Sequence, residues 1–268
     1  MDIDIQSEIK QIILNTASLK NTFTKTYPNT KFSLDLIISE LLYFLKSGVS
    51  WRYLRSEISY KTLHRYYVTF VKANVFLNLF LKIRRKYITN YINKSDNVTL
   101  YVDSTIIYNK SGINKLGRNK FYKNKRTTKI SLMTDSNGFP LSILFMKGNY
   151  HDTSVFNNHI HDATVLLPNI RKKVIADKGY ASNANYKLLN DNDITHIIPP
   201  RKNMKIAKNY IYDKKEYKQR ILIEQIFGRL KSYKRINLRY DKLLRNFKGF
   251  SLIAFSIIGI NILNKISD

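Results

Sequence analysis

From Phe32 to about Ile92, apolar residues recur every three to four positions. Leu34, Ile37, Ile38, Leu41, Leu42 and Leu45 fall at helical spacing, and Gly48 follows as a stop signal. Trp51, Leu54 and Ile58 carry the apolar side through a short connection. A further pattern runs from Thr62 to Tyr91 on Leu63, Tyr66, Tyr67, Phe70, Val71, Phe76, Leu79, Phe80 and Ile83. This spacing predicts a small helical bundle. Helix-turn-helix DNA readers are built this way, and so are many bundles that never meet DNA.

A short polar linker at Asn93–Asn97 marks a change of texture. Short β-type runs follow at Val98–Val102, Ile130–Thr134, Leu141–Met146 and Val174–Ala176. Asp135-Ser136-Asn137-Gly138-Phe139-Pro140 predicts a hairpin turn, with Asn-Gly supplying positive φ. Helices are expected over Thr153–Leu167, Asn183–Asn190, Lys214–Tyr233 and Asn246–Leu263. A short strand, His196–Ile198, is stopped by Pro199-Pro200. Lys110–Lys129 reads as a basic, Gly-containing loop, mobile without DNA. Three strands, then helix, strand, helix, strand and helix make a mixed α/β order of the ribonuclease-H-like kind. The expected division is a helical, helix-turn-helix-like domain over residues 1–93 and a ribonuclease-H-like mixed sheet with flanking helices over residues 98–268.

Charge narrows the partners. The chain carries 46 Lys plus Arg against 19 Asp plus Glu, a formal charge of +27, while 44% hydrophobic residues suffice for a core. Such an excess points to a polyanion: DNA, RNA or an anionic membrane. There is no cysteine, which excludes a disulfide framework and a Cys-based zinc site. The acidic start, Met1-Asp2-Ile3-Asp4, is unlike a signal peptide. The apolar stretch Leu252–Leu263 is short for a bilayer and interrupted by Ser256, Gly259 and Asn261, so a buried C-terminal helix is expected and no membrane partner. The expected location is intracellular and DNA-associated.

The candidate chemistry is acidic. Asp103 ends one apolar run, in Tyr101-Val102-Asp103-Ser104-Thr105, and Asp177 ends another, in Val174-Ile175-Ala176-Asp177. A carboxylate after a buried strand can be a mere turn or cap residue, but adjacent strands can also bring two such ends together. On the expected helix 214–233, Tyr217, Arg220, Glu224 and Lys231 fall on one face. That face reads either as a salt-bridged surface or as a carboxylate offered to a metal with cations to hold phosphates. Carboxylate oxygens suit Mg²⁺ or Mn²⁺. Two such ions roughly 4 Å apart serve phosphoryl transfer.

These residues resemble the DDE transposases of bacterial insertion sequences, in the insertion-sequence-four superfamily and most like its insertion-sequence-five branch. The superfamily signature of Tyr, two residues, Arg, three residues, Glu, six residues and Lys is met by Tyr217, Arg220, Glu224 and Lys231. Val102-Asp103-Ser104-Thr105 and Ala176-Asp177-Lys178-Gly179-Tyr180-Ala181-Ser182 resemble the motifs around the two aspartates. Thr128-Lys129-Ile130, Gly138-Phe139-Pro140-Leu141, Gly148-Asn149-Tyr150-His151-Asp152, Ile198-Pro199-Pro200-Arg201-Lys202-Asn203 and Arg239-Tyr240-Asp241-Lys242 are similar to accompanying motifs. Leu45-Lys46-Ser47-Gly48-Val49-Ser50-Trp51-Arg52-Tyr53-Leu54 resembles the helical DNA-binding segment, with Lys-Ser-Gly where the family usually has Arg-Thr-Gly.

The resemblance implies a DNA transposase that cuts element ends and joins them to target DNA. Asp103, Asp177 and Glu224 would be catalytic and would hold two Mg²⁺ or Mn²⁺ ions. Tyr217, Arg220, Lys231, Lys129, Trp51 and Arg52 would contact DNA. The implied partners are the terminal inverted repeats and target DNA, with a homodimer in the DNA complex. Asp152 is a possible added ligand or a structural residue. His64, His159, His161 and His196 show no metal-type spacing, and no Gly-rich nucleotide loop is present. The competing readings are a catalytically silent or repurposed DNA-binding protein derived from a transposase, a related nuclease or resolvase that cuts without joining, and an RNA-binding protein.

Overall fold

The computed structural model describes residues 4–23, 32–111 and 116–267. Positions 112–115, inside the expected 110–129 loop, lie outside the described residues. The chain forms two compact units. One holds the N-terminal helices to Arg85, the chain from Asn109, and everything from Arg229 onward; the other holds Lys86–Tyr108 and the later described residues up to Gly228.

The helical unit contains α1 (Ile5–Asn15), α2 (Ala17–Phe23), α3 (Leu34–Ser47), α4 (Tyr60–Lys72) and most of α5 (Val75–Asn90). Ser33 caps α3 by accepting from the Leu36 amide at 3.2 Å. Gly48 ends it at φ 65°. A Cβ at Gly48 would lie 2.7 Å from Lys234 Cβ, so both the turn and the close approach require glycine there. The apolar pattern from Thr62 to Tyr91 is two helices rather than one, because Asn74 adopts φ 57° and breaks it.

The helical unit is not confined to residues 1–93. The chain from Arg229 joins it through the end of α9 (Ile221–Ser232), α10 (Lys234–Asn237) and α11 (Leu244–Ser267). Tyr67 stacks on Phe250 of α11 at 4.1 Å, and Phe44 stacks on Trp51 at 3.9 Å. α11 is longer than the Leu252–Leu263 stretch and passes by length and composition for a membrane-crossing helix, but it is mostly buried, as expected of a C-terminal core helix. Its apolar residues are accounted for by burial instead: Phe247, Phe250, Ile253, Ala254 and Phe255 are fully inaccessible.

The second unit is a mixed sheet with helices. Its strands are β1 (Asn97–Asn109), β2 (Gly117–Asn119), β3 (Lys125–Thr134), β4 (Pro140–Lys147), β5 (Arg171–Ala176) and β6 (Thr195–Ile197). β1 lies between antiparallel β3 and parallel β5, and β6 pairs with β5 in parallel. β3 also pairs with β4 and, at its start, with β2. A two-residue strand, β7 (Leu238–Arg239), belongs to the helical unit, where the Lys110 amide donates to the Arg239 carbonyl at 3.0 Å. α6 (Thr153–Leu166) and α7 (Asn183–Asp191) are the helical connections to β5 and β6.

Three local expectations need correction. The 110–129 segment is not one loop: β2 and the start of β3 lie inside it. Thr127 and Thr128 are fully buried there, and ladder pairing with β1 overrides their polar character. In the β3–β4 turn only Gly138, at φ 78°, is left-handed. Asp135 shapes that turn by accepting from the Asn137 and Phe139 amides at 3.0 and 2.9 Å. The long helix over 214–233 is broken. α8 (Lys214–Lys218) ends in a turn at Gln219-Arg220 before α9 begins.

His159 is a core residue. Its ring lies between the Ser131 and Ser142 hydroxyls, each at 2.8 Å, and burial holds its pKa near about 3. The folded form keeps it neutral while the unfolded chain protonates at the usual value. Its contribution to stability is therefore present above the unfolded pKa and is lost as pH falls from about 6.5 toward about 3. Urea unfolding is expected to need less denaturant at pH 4.5 than at pH 7, with a smaller difference in His159→Gln. An equal difference in both proteins would place the acid sensitivity elsewhere.

Candidate active site

The register of β1 on β5 builds the site. Tyr101 pairs with Ile175 and Val102 with Ala176, in parallel. The next residue on each strand is therefore a carboxylate: Asp177 just past the end of β5, and Asp103, contrary to the expected strand end, inside β1, which runs on to Asn109 paired with β3. Asp103 Oδ1 accepts from the Ser104 amide at 2.8 Å. Asp177 Oδ1 accepts from the Gly179 amide, and a Cβ on Gly179 would meet that oxygen at 2.6 Å. Burial pushes the Asp103 carboxyl up to about 6. The Ser104 amide and Arg220 oppose that rise, and the charge of Asp177 reinforces it.

Arg220 links this pair to the broken helix. Its Nη2 lies 3.1 Å from Asp103 Oδ2 and 3.8 Å from Glu224 Oε1. Its Nη1 donates to the Tyr217 hydroxyl at 3.2 Å. The turn that holds it is fixed by the buried Tyr101, whose hydroxyl donates to Gln219 Oε1 at 2.8 Å. The four signature residues thus do not share one continuous helical face. Tyr217 reaches Arg220 across the break, Glu224 opens α9, and Lys231 sits two turns further along, its amine pKa lowered by burial.

The structure brings Asp103 and Asp177 together and ties Glu224 to them through a guanidinium. The Glu224 side chain is 60% exposed, and among the described residues no group of three or more His, Cys, Asp or Glu is assembled for a metal. The Asp103–Asp177 pair nonetheless fits a hard divalent cation. It offers only oxygens, and a buried carboxyl beside a second one gains most when a cation joins it.

Other expected site residues fall differently. Lys129 is 8% exposed, and its amine is committed to Asp152 Oδ1 at 2.9 Å and the Tyr150 carbonyl at 2.8 Å. Trp51 is built into the aromatic cluster of the helical unit, edge-on to His64 and stacked on Phe44. Arg52 is exposed.

A cleft of about 630 Å³ opens beside the carboxylates, with Asp103, Asp152, Asp177 and Lys129 on one side and Arg118, Lys120, Tyr122 and Tyr150 around it. Reading the sequence did not single out Arg118, Lys120 or Tyr122. The available signal was charge: between Asp103 and Asp135 the chain has eight Lys or Arg and no acid. A second cleft of similar volume, lined by Tyr186, Arg201 and Met204, carries no carboxylate.

Strand order, flanking helices and the neighbouring Asp103 and Asp177 together define a ribonuclease-H-like fold with two carboxylates where the β1–β5 pairing ends. Residues 94–258, which include Asp103, Asp177 and Glu224, match the family described as Transposase DDE domain, and the chain belongs to that family. It is 31% identical over 134 residues to a transposase named for insertion sequence element IS6501 of Brucella ovis, which spans 49% of this chain and 97% of that protein. The piggyBac transposase, in a synaptic complex with hairpin DNA, superposes with a TM-score of 0.59 over 98% of this chain and 72% of that one. At 11% identity the likeness is one of fold.

Proposed function

We propose that this protein is a DNA transposase that cleaves the ends of a mobile element and joins the 3′-hydroxyl ends to target DNA. The observation that carries the reading is the parallel register of β1 on β5, which sets two carboxylates side by side at the mouth of a basic cleft. The Tyr217, Arg220, Glu224 and Lys231 spacing supports placing it in the insertion-sequence-five branch of the insertion-sequence-four superfamily.

In this reading Asp103, Asp177 and Glu224 hold Mg²⁺ or Mn²⁺, two ions per site. When bound, the ions supply positive charge to the attacking and leaving oxygens. The chain's own residues do the rest. Arg118, Lys120 and the other exposed cations of the 104–134 segment track the phosphate backbone. Arg220 compensates the charge between Asp103 and Glu224 before DNA arrives. The reaction is two in-line displacements at phosphorus. Water opens a phosphodiester at the element end and frees a 3′-hydroxyl; that hydroxyl then displaces one strand of the target. The partners are double-stranded DNA, terminal inverted repeats and target, bound by a homodimer, and the protein works inside the cell on DNA.

The test incubates purified protein with labelled element-end DNA, first in chelator and then with Mg²⁺, Mn²⁺ or Ca²⁺. Cleavage and strand-transfer products are expected with the first two ions. Ca²⁺ takes more ligands at longer distances and should support binding without cutting. Cleavage that persists in chelator sinks the metal-dependent reading, and cutting without strand-transfer products favours a nuclease or resolvase.

A further inference from the structure

The Gly148-Asn149-Tyr150-His151-Asp152 motif has no role in the reaction outlined above, yet it ends beside the catalytic pair. Asp152 Oδ1 accepts from two donors there: the Lys129 amine at 2.9 Å and the Ser104 hydroxyl at 2.5 Å. Ser104 is the residue whose amide holds Asp103 Oδ1 at 2.8 Å. A polar chain therefore runs from Lys129 through Asp152 and Ser104 to Asp103. Its anchor is rigid, because Lys129 is 8% exposed on β3 and a second contact, to the Tyr150 carbonyl, fixes its amine. Sheet pairing sets the frame: Ser104 faces Ser131 and Ile106 faces Lys129 across the β1–β3 ladder.

We infer that Asp152 is a positioning residue for Asp103, acting through Ser104. The inference rests on the transposase reading for its catalytic consequence but not for its geometry. Asp103 lies inside β1, where the ladder fixes its backbone but not its χ angles; the Ser104 amide and Arg220 are what restrain the carboxylate. Asp152 holds Ser104 by its side chain, and Lys129 neutralises the charge that Asp152 brings close to Asp177. That proximity is real: a Cβ on Gly179 would lie 3.9 Å from Asp152 Oδ2 and 2.6 Å from Asp177 Oδ1. Without the Lys129 amine, a further negative charge would face the pair.

Two measurements on the full-length protein test this. The first is single-turnover cleavage of element-end DNA by Ser104→Ala, Asp152→Asn and the double variant, with end binding measured alongside. Each single change is expected to slow cleavage roughly tenfold to a hundredfold, as loss of alignment does, with binding within about twofold. The double variant is expected to be no slower than the worse single one, because both act on one path. Ser104→Thr, which keeps the hydroxyl, is expected to restore most of the rate. Multiplying rate losses overturn the inference, since Asp152 would then act independently of Ser104. The second measurement is the crystal structure of Asp152→Asn and Ser104→Ala. A rotated or split Asp103 carboxylate is expected. An unmoved Asp103 overturns the inference even if no cleavage is seen in the wild type, whereas failure of the wild type to cut any end DNA counts against the transposase reading alone.

Discussion

Asp103→Asn, Asp177→Asn and Glu224→Gln are each expected to abolish strand cleavage, by at least about 10³-fold, while binding of the element end stays within a few-fold. The two effects separate because they rest on different charges. In the proposed reading, affinity for DNA comes from phosphate contacts by a chain with 46 Lys and Arg against 19 acids, so removing one acid is expected to weaken nothing. Cleavage, in the same reading, depends on ionised oxygens that an amide does not replace. Asp103 and Asp177 each follow the last paired residues of β1 and β5, so either amide leaves its partner the lone carboxylate there. Glu224 is the sharper test of the three. Its side chain is 60% exposed and meets the pair only through Arg220, at 3.8 Å. Wild-type cleavage by Glu224→Gln would remove it from the site and leave a two-carboxylate centre. Gel-shift titration and cleavage assays on the same DNA decide each case.

The second large effect lies in the helical unit. Asp241→Ala is expected to destabilise the protein by about 3–5 kcal/mol, read from chemical denaturation. Arg235 is 2% exposed, and its Nη2 donates to Asp241 Oδ1 at 3.0 Å. The guanidinium lies 4.5 Å from the Phe44 ring centre, with Trp51, Tyr240 and Phe250 also within reach. Removing Asp241 leaves a buried cation among aromatic rings, which π faces compensate only in part. The pair itself is imperfect, because Arg235 Nε and Asp241 Oδ2 have no hydrogen-bond partner among the described residues. Arg235→Met combined with Asp241→Leu is therefore expected to recover most of the loss. A single variant as stable as the wild type would mean that water reaches the guanidinium once the acid is gone.

The same residues explain why one conspicuous motif is structural. Arg239-Tyr240-Asp241-Lys242 resembles a family motif, yet Arg239 is fully buried and its Nε donates to the Asp241 carbonyl at 2.9 Å. The motif closes the turn between β7 and α11 and supplies Asp241 to Arg235. A short charged string reads alike whether its charges face DNA or one another, and burial separates the two cases.

What the sequence determined by itself was local and collective. The spacing of Leu34 to Leu45 specified a helix because a buried face repeats every 3.6 residues, and Gly48 marks its end. Short apolar runs before Asp103 and Asp177 were legible as strands, though not that β1 runs on past Asp103 to Asn109, and the charge of +27 pointed to a polyanion wherever the cations sit. Periodicity reports that a face is buried but not what covers it. The tertiary structure alone decided that β1 and β5 pair in parallel and in a register that puts the two aspartates side by side. It decided that α11 packs with the N-terminal helices, that helix 214–233 breaks where Tyr101 holds Gln219, and that Lys129 is spent on Asp152. Each is a choice among long-range partners, made by the burial and hydrogen bonding of residues far apart in the chain, and local sequence carries no record of which partner will be there.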